Sequence, residues 1–94
     1  MQIDWLESAF VDLHRVREHI REFNPVAAQK TVACIEAAAK NLARFPEMGP
    51  PGEVPGTREL VIPRLPYFVV YRLTSDAVQI LRVLHDKQKW PSSS

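Results

Sequence analysis

The chain has 94 residues, 46% of them hydrophobic and 24% charged, with Lys plus Arg at 12 and Asp plus Glu at 11 for a net charge of +1. That is one small globular domain of ordinary composition; the near-balance of charge excludes the strongly basic signature of a dedicated nucleic-acid binder. A lone cysteine, Cys34, excludes an internal disulfide framework or a cysteine-rich zinc site, and no run approaches the roughly 18 apolar residues of a membrane span. The expectation is a single domain over residues 1–94, cytoplasmic and in a reducing compartment, with residues 91–94 disordered.

Residues 1–5 alternate Ile3 and Trp5 with Gln2 and Asp4, which predicts a short strand. From about Glu7 the apolar residues Phe10, Leu13, Val16, Ile20 and Phe23 recur at steps of three and four, the stripe of a helix, with Ser8 as candidate cap. Asn24-Pro25 ends that helix and starts another, since Asn caps well and Pro fits the first helical position. The second helix is expected to run to Phe45 with Ala28, Val32, Ile35, Leu42 and Phe45 inward. Pro46 stops it. Between Pro46 and Thr57 lie four prolines and all three glycines, so the segment reads as a loop. Three strands follow, at 58–62, 67–73 and 77–85. Thr74-Ser75-Asp76 is the turn between the last two, and the final strand is apolar enough to be covered on both faces.

The order β-α-α-β-β-β predicts an α+β two-layer domain, an antiparallel helix hairpin packed on a small, mostly antiparallel sheet.

Motifs with a strong mechanism are absent. The only Gly-rich stretch is saturated with proline, which removes the backbone N–H groups a phosphate needs, and no nucleophile elbow or His-Glu-x-x-His occurs. His14 and His19 are five apart on different helix faces and read as surface residues; Cys34 in its Ala-rich helix reads as a small buried hydrophobe. Glu18 and Glu22 read as solvated partners of nearby Arg15 and Arg21. No cofactor is implied. From Arg58 onward six basic residues (Arg58, Arg64, Arg72, Arg82, Lys87, Lys89) face three acidic ones. Arg72 and Arg82 lie inside strands, where they are expected to face solvent or a partner. His85 ends the last strand beside Lys87, Lys89 and Trp90. Such a cluster can act as general acid and phosphate clamp, or be an ordinary solvated face. Trp5 reads as core; Trp90 either closes the core or anchors a partner.

Trp5, Ala9 and Asp12-Leu13 in the first helix, Asn24-Pro25 with Ala27-Ala28 opening the second, and Leu42, Phe45-Pro46 and Gly49 closing the helical half form an ordered set. Arg58-Glu59-Leu60, Tyr67-Phe68-Val69-Val70-Tyr71-Arg72 and Ile80-Leu81-Arg82-Val83-Leu84-His85 complete it in the sheet half. In this set the chain resembles the RelE/ParE toxin superfamily of type II toxin–antitoxin modules, and its ParE (plasmid-stabilisation) branch more than its RelE branch. The RelE branch would imply an mRNA endonuclease, with Arg58, Arg82 and His85 as the candidates here. Tyr67-Phe68, however, stands where many RelE-like enzymes carry an arginine, and Glu47 and Glu53 where the RelE enzyme has lysines. The ParE branch implies a non-enzymatic toxin that inhibits DNA gyrase by protein–protein binding and is neutralised by a ParD-like antitoxin. It implies no specific nucleic-acid binding by the toxin alone and no membrane. On that reading Arg58, Arg64, Arg72, Arg82, His85, Lys87 and Trp90 are the target- or partner-binding candidates; a third reading is a module member that has lost toxicity.

Overall fold

The structure is a computed structural model and describes residues 1–91. Its elements are β1 (Gln2–Trp5), α1 (Glu7–Arg21), α2 (Pro25–Asn41), β2 (Arg58–Val61), β3 (Tyr67–Leu73) and β4 (Ala77–His85). The predicted order and α+β class hold, with strand bounds within a residue of expectation. The disorder expected of residues 91–94 falls, apart from Pro91, outside the described residues.

The sheet order is β1-β4-β3-β2. β2, β3 and β4 form an antiparallel meander, and β1 lies parallel to β4 with Gln2 opposite Ala77 and Trp5 opposite Ile80. Val69, Tyr71, Val78, Ile80 and Val83 on one sheet face form a single core with Ala9, Leu13 and Val16 of α1 and Val32, Ile35 and Ala39 of α2. Val70 and Leu84 alternate onto the other face and are buried as well, so β3 and β4 are covered on both sides.

A bulge in β4 decides which side chains reach that core. The register passes from Tyr71↔Ile80 to Val70↔Arg82, leaving Leu81 unpaired. Without the extra residue Arg82 would share the core face of Ile80; with it Val83 takes that face and Arg82 turns away.

The helix hairpin follows the sequence at its centre and departs from it at its margins. Asn24 caps α2, its side chain accepting from the Ala27 N–H at 3.0 Å with Pro25 at the first helical position. Ser8 does not cap α1; the cap residue is Leu6, without a side-chain hydrogen bond. The buried stripe of α1 is Ala9, Asp12, Leu13 and Val16. Phe10, one step of about 100° round the helix, is exposed and tilts against Trp5, which, expected in the core, is partly buried against its edge. The small Ala9 holds the inner place because α1 approaches the sheet closely there. Phe23 lies beyond the end of α1 and is also exposed. α2 stops at Asn41, four residues early, and Phe45 swings outward while Leu42 stays buried. Cys34, expected inside, is exposed: α2 buries only the stripe 28-31-32-35-39, which leaves position 34 on the solvent side.

The Pro/Gly loop is pinned rather than loose. The Tyr71 hydroxyl donates to Pro46 O at 2.7 Å and accepts from the Gly49 N–H at 2.9 Å. Glu59 N donates to Pro50 O at 3.0 Å, laying the loop along the outer edge of β2.

Candidate functional site

β1 ends at Trp5, opposite Ile80, so the edge of β4 from Leu81 onward has no strand beside it. The Leu6 backbone and side chains of α1 and the C-terminal turn take the strand's place. The Leu6 N–H donates to Ile80 O at 3.0 Å, the Ser8 hydroxyl to Leu81 O at 2.6 Å, and the Val83 N–H to Asp12 Oδ2 at 3.0 Å. The spacing allows it: four helical residues rise about 6 Å and two strand residues about 6.6 Å, so Ser8 and Asp12 on one face of α1 match alternate positions of β4. Further on, the His85 N–H donates to Gln88 Oε1 at 2.8 Å.

Asp12 does a second thing. Arg82, turned off the core face by the bulge, reaches round the edge and donates from Nε to Asp12 Oδ2 at 2.6 Å and from Nη2 to Oδ1 at 3.0 Å. This is the bidentate fork that guanidinium and carboxylate planes favour. The hydrogen bond it donates to Asp12 raises the Arg82 pKa above its ordinary value, against a partial burial that lowers it. The Trp90 ring lies 5.7 Å from the Arg82 Cζ, within cation–π range, and its Nε1 is buried without a partner among the described residues. The expectation that Arg82 simply faces solvent or a partner is therefore corrected: a buried acid on the facing helix holds it.

His85 stands on the core face. Its ring meets Tyr67 edge-on with centroids 5.3 Å apart, and Nδ1 lies 3.0 Å from Asp86 Oδ1 and 3.1 Å from the Lys87 N–H. Those two contacts ask for opposite tautomers: Lys87 N–H needs an acceptor at Nδ1, Asp86 a donor. Beside His85 opens a pocket of about 280 Å³, bounded by Arg15 and His19 of α1, Tyr67 and His85, and floored by Val16 and Val83. Burial pushes the Tyr67 phenol above its ordinary pKa.

The other candidates are dispersed. Arg58 pairs with Tyr71, at the far end of β3 from His85, and its guanidinium donates to Gly49 O at 2.7 Å and Glu47 O at 3.4 Å. It holds the loop. Arg72 is exposed, with Nε donating to Gln79 Oε1 at 2.6 Å on the far part of β4. Arg64 is exposed in the β2–β3 connection at the His85 end, with a left-handed backbone at φ 67°. Lys87 is exposed just past His85. The fold thus gathers Arg82, His85, Lys87 and Trp90 at one end and leaves Arg58 and Arg72 at the other. Among the described residues no group of three His, Cys, Asp or Glu side chains could hold a metal.

Asp12, Arg15, His19 and Tyr67 join the site without standing among the sequence candidates. Asp12 had a signal: it falls inside the apolar stripe of α1, where a carboxylate needs a cation. Arg15, His19 and Tyr67 had none, because their meeting depends on how α1 crosses the sheet end.

Residues 3–90 match the family model described as ParE toxin of type II toxin-antitoxin system, parDE. The chain is 40% identical over 90 residues to a Sinorhizobium fredii protein named "Putative toxin Y4kP", covering 96% of this chain and 93% of the relative. It is 33% identical over 84 residues to a Caulobacter vibrioides protein named Toxin RelE2, covering 89% and 93%. Among solved structures it resembles a chain of the chromosomal ParDE toxin–antitoxin system of P. aeruginosa, with TM-score 0.83 and 32% identity over 90% of this chain and 95% of that one. It also resembles a chain of the RelBE2 toxin–antitoxin complex of Mycobacterium tuberculosis, with TM-score 0.64 and 27% identity over 89% and 95%.

Proposed function

The chain belongs to the ParE toxin family of type II toxin–antitoxin systems, and from that premise we propose that it inhibits DNA gyrase by protein–protein binding, catalyses no reaction itself, and is neutralised by a ParD-like antitoxin in the cytoplasm. The observation that carries the non-enzymatic reading is that, of the three candidate catalytic groups, Arg58 lies at the far end of the sheet and Arg82 is engaged by Asp12. Cutting an RNA phosphodiester requires cationic and acid–base groups aimed at one phosphate. Here Arg58 is tied to loop carbonyls at the end of the sheet opposite His85, and Arg82 is held by its Nε–Nη2 fork on the buried carboxylate of Asp12. That leaves His85 without either arginine.

What supports the antitoxin partner is that both structural neighbours come from toxin–antitoxin assemblies. The similarity to Toxin RelE2 and to the RelBE2 complex keeps mRNA cleavage as the rival reading. One purified sample decides between them, assayed in parallel for gyrase supercoiling and gyrase-linked DNA cleavage and for ribosome-programmed mRNA cleavage. Trapped gyrase–DNA cleavage with intact mRNA is the expected result. Cut mRNA with normal supercoiling overturns the proposal in favour of a ribonuclease, and inactivity in both assays with harmless overexpression indicates a member that has lost toxicity.

A further inference from the structure

We propose that the pocket between α1 and the His85 end of the sheet receives the carboxylate side chain of an aspartate or glutamate from an acidic peptide segment. Its volume, about 280 Å³, lies at the lower edge of the roughly 300–1,000 Å³ of small-molecule sites and accommodates one side chain. The floor is apolar, made by Val16, Val83 and the edge of the Tyr67 ring, which accommodates the methylenes of a side-chain stem. The rim is polar and cationic. Among the described residues Arg15 and His19 have no ion pair, and neither their side chains nor the Tyr67 hydroxyl make a hydrogen bond to another described residue.

Of the acids near Arg15, Glu18 pairs with Arg21 at 2.6 Å, and the other is Asp12, which also borders the pocket. Both its oxygens are already taken, by Arg82 and the Val83 N–H, so the Arg15 fork stays available to an external oxyanion. A singly charged carboxylate fits better than a phosphate. Asp12 borders the pocket, and its repulsion grows with the ligand's charge. The inference rests on the partner-binding reading only for the source of the carboxylate, a protein segment rather than a metabolite.

The test titrates the full chain with N-acetylglutamate amide, N-acetylglutamine amide and inorganic phosphate, observed by NMR at the Arg15 Nε–H and the His19 and His85 ring protons, with the His14 ring as internal control. The glutamate derivative is expected to shift the first three saturably and leave His14 unmoved. The glutamine derivative should bind about tenfold or more weakly, as should the glutamate derivative to folded Arg15→Gln, each losing a charge-assisted hydrogen bond. Tyr67→Phe, which keeps the ring, should weaken binding a few-fold, while Arg17→Gln on another face of α1 should not. Equal binding of both amides, undiminished binding to Arg15→Gln, absence of saturation, or tighter binding of phosphate than of the glutamate derivative overturns the proposal. These readings come from the chain alone, so an empty pocket beside intact gyrase inhibition defeats only the pocket, and a working pocket beside cut mRNA defeats only the proposed function.

Discussion

Asp12 and Arg82, seventy residues apart, share a bidentate ion pair in which the carboxylate also caps the Val83 N–H. One side chain thereby fastens the first helix to the last strand. The carboxylate is buried and the guanidinium only partly so, its side chain 27% exposed, which makes removal of the two partners unequal. Asp12→Ala orphans a strand N–H and a half-buried cation and is expected to cost about 3 kcal/mol; Arg82→Ala strands a buried carboxylate that can still accept from Val83 and should cost about 2 kcal/mol. Urea denaturation of the two single variants and the double variant checks this: the double should cost less than the sum. An Arg82→Ala protein as stable as the parent would show that the pair contributes nothing.

Tyr71 and Gly49 make a second fastening. A Cβ at Gly49 would sit 2.9 Å from both Cε1 and Oη of Tyr71 and 3.0 Å from Glu59 O, a buried ring and a backbone atom with little room to retreat. Gly49→Ala is expected to destabilise by about 1–3 kcal/mol. Tyr71→Phe, which leaves Gly49 N–H and Pro46 O without their partner, should cost about 1–2 kcal/mol. Calorimetric midpoints of both variants measure these losses.

Burial raises the phenol pKa of Tyr67 and of Tyr71 above 10.0, the latter against a lowering by the Gly49 hydrogen bond and by Arg58. The folded chain then holds protons that the unfolded chain releases near pH 10. Their contribution to stability is complete below that pH and is lost as pH rises from about 10 through the raised values. Unfolding free energy measured from pH 8 to 11.5 should fall at the alkaline end. The fall should be shallower in Tyr67→Phe; an identical slope would exclude Tyr67 as a source.

Phe10 and Phe23 lie outside the core, at 57% and 79% exposure. Phe23→Ser is expected to change stability by no more than about 0.5 kcal/mol. Phe10→Ser should cost slightly more, through its contact with Trp5. At the other end of the hairpin's turn, Asn24→Ala removes the cap of α2 and should cost about 1 kcal/mol. Thermal melts of the three variants would separate the cap from the two exposed rings.

Much of this fold is written in local patterns. Asn24-Pro25 marks the hairpin and Pro46 to Thr57 the loop, and alternation marks the strands, because capping, φ restriction and side-chain period are properties of neighbouring residues. Phe10 and Cys34 were misplaced because periodicity fixes a stripe only to about one position, and the choice between Ala9 and Phe10 is made by how closely α1 meets the sheet. The bulge at Leu81 is legible in retrospect: apolar residues fall on even positions at Val78 and Ile80 and then include odd Val83. The pairing of Asp12 with Arg82 and the company of Arg15, His19, Tyr67 and His85 are tertiary facts, and no spacing in the chain encodes them.

The parallel pairing of Gln2–Trp5 with Ala77–Ile80 sets a timetable for synthesis. The helices α1 and α2 pair with each other, and β2 with β3, through segments close in sequence and can form as the chain emerges, but β1 must wait for a partner more than seventy residues downstream. The Asp12–Arg82 pair and the pocket wait with it. On a ribosome, the candidate site is therefore the last part of the chain to assemble. Hydrogen exchange on stalled chains truncated before Ala77 should show a protected helix hairpin and an open first strand.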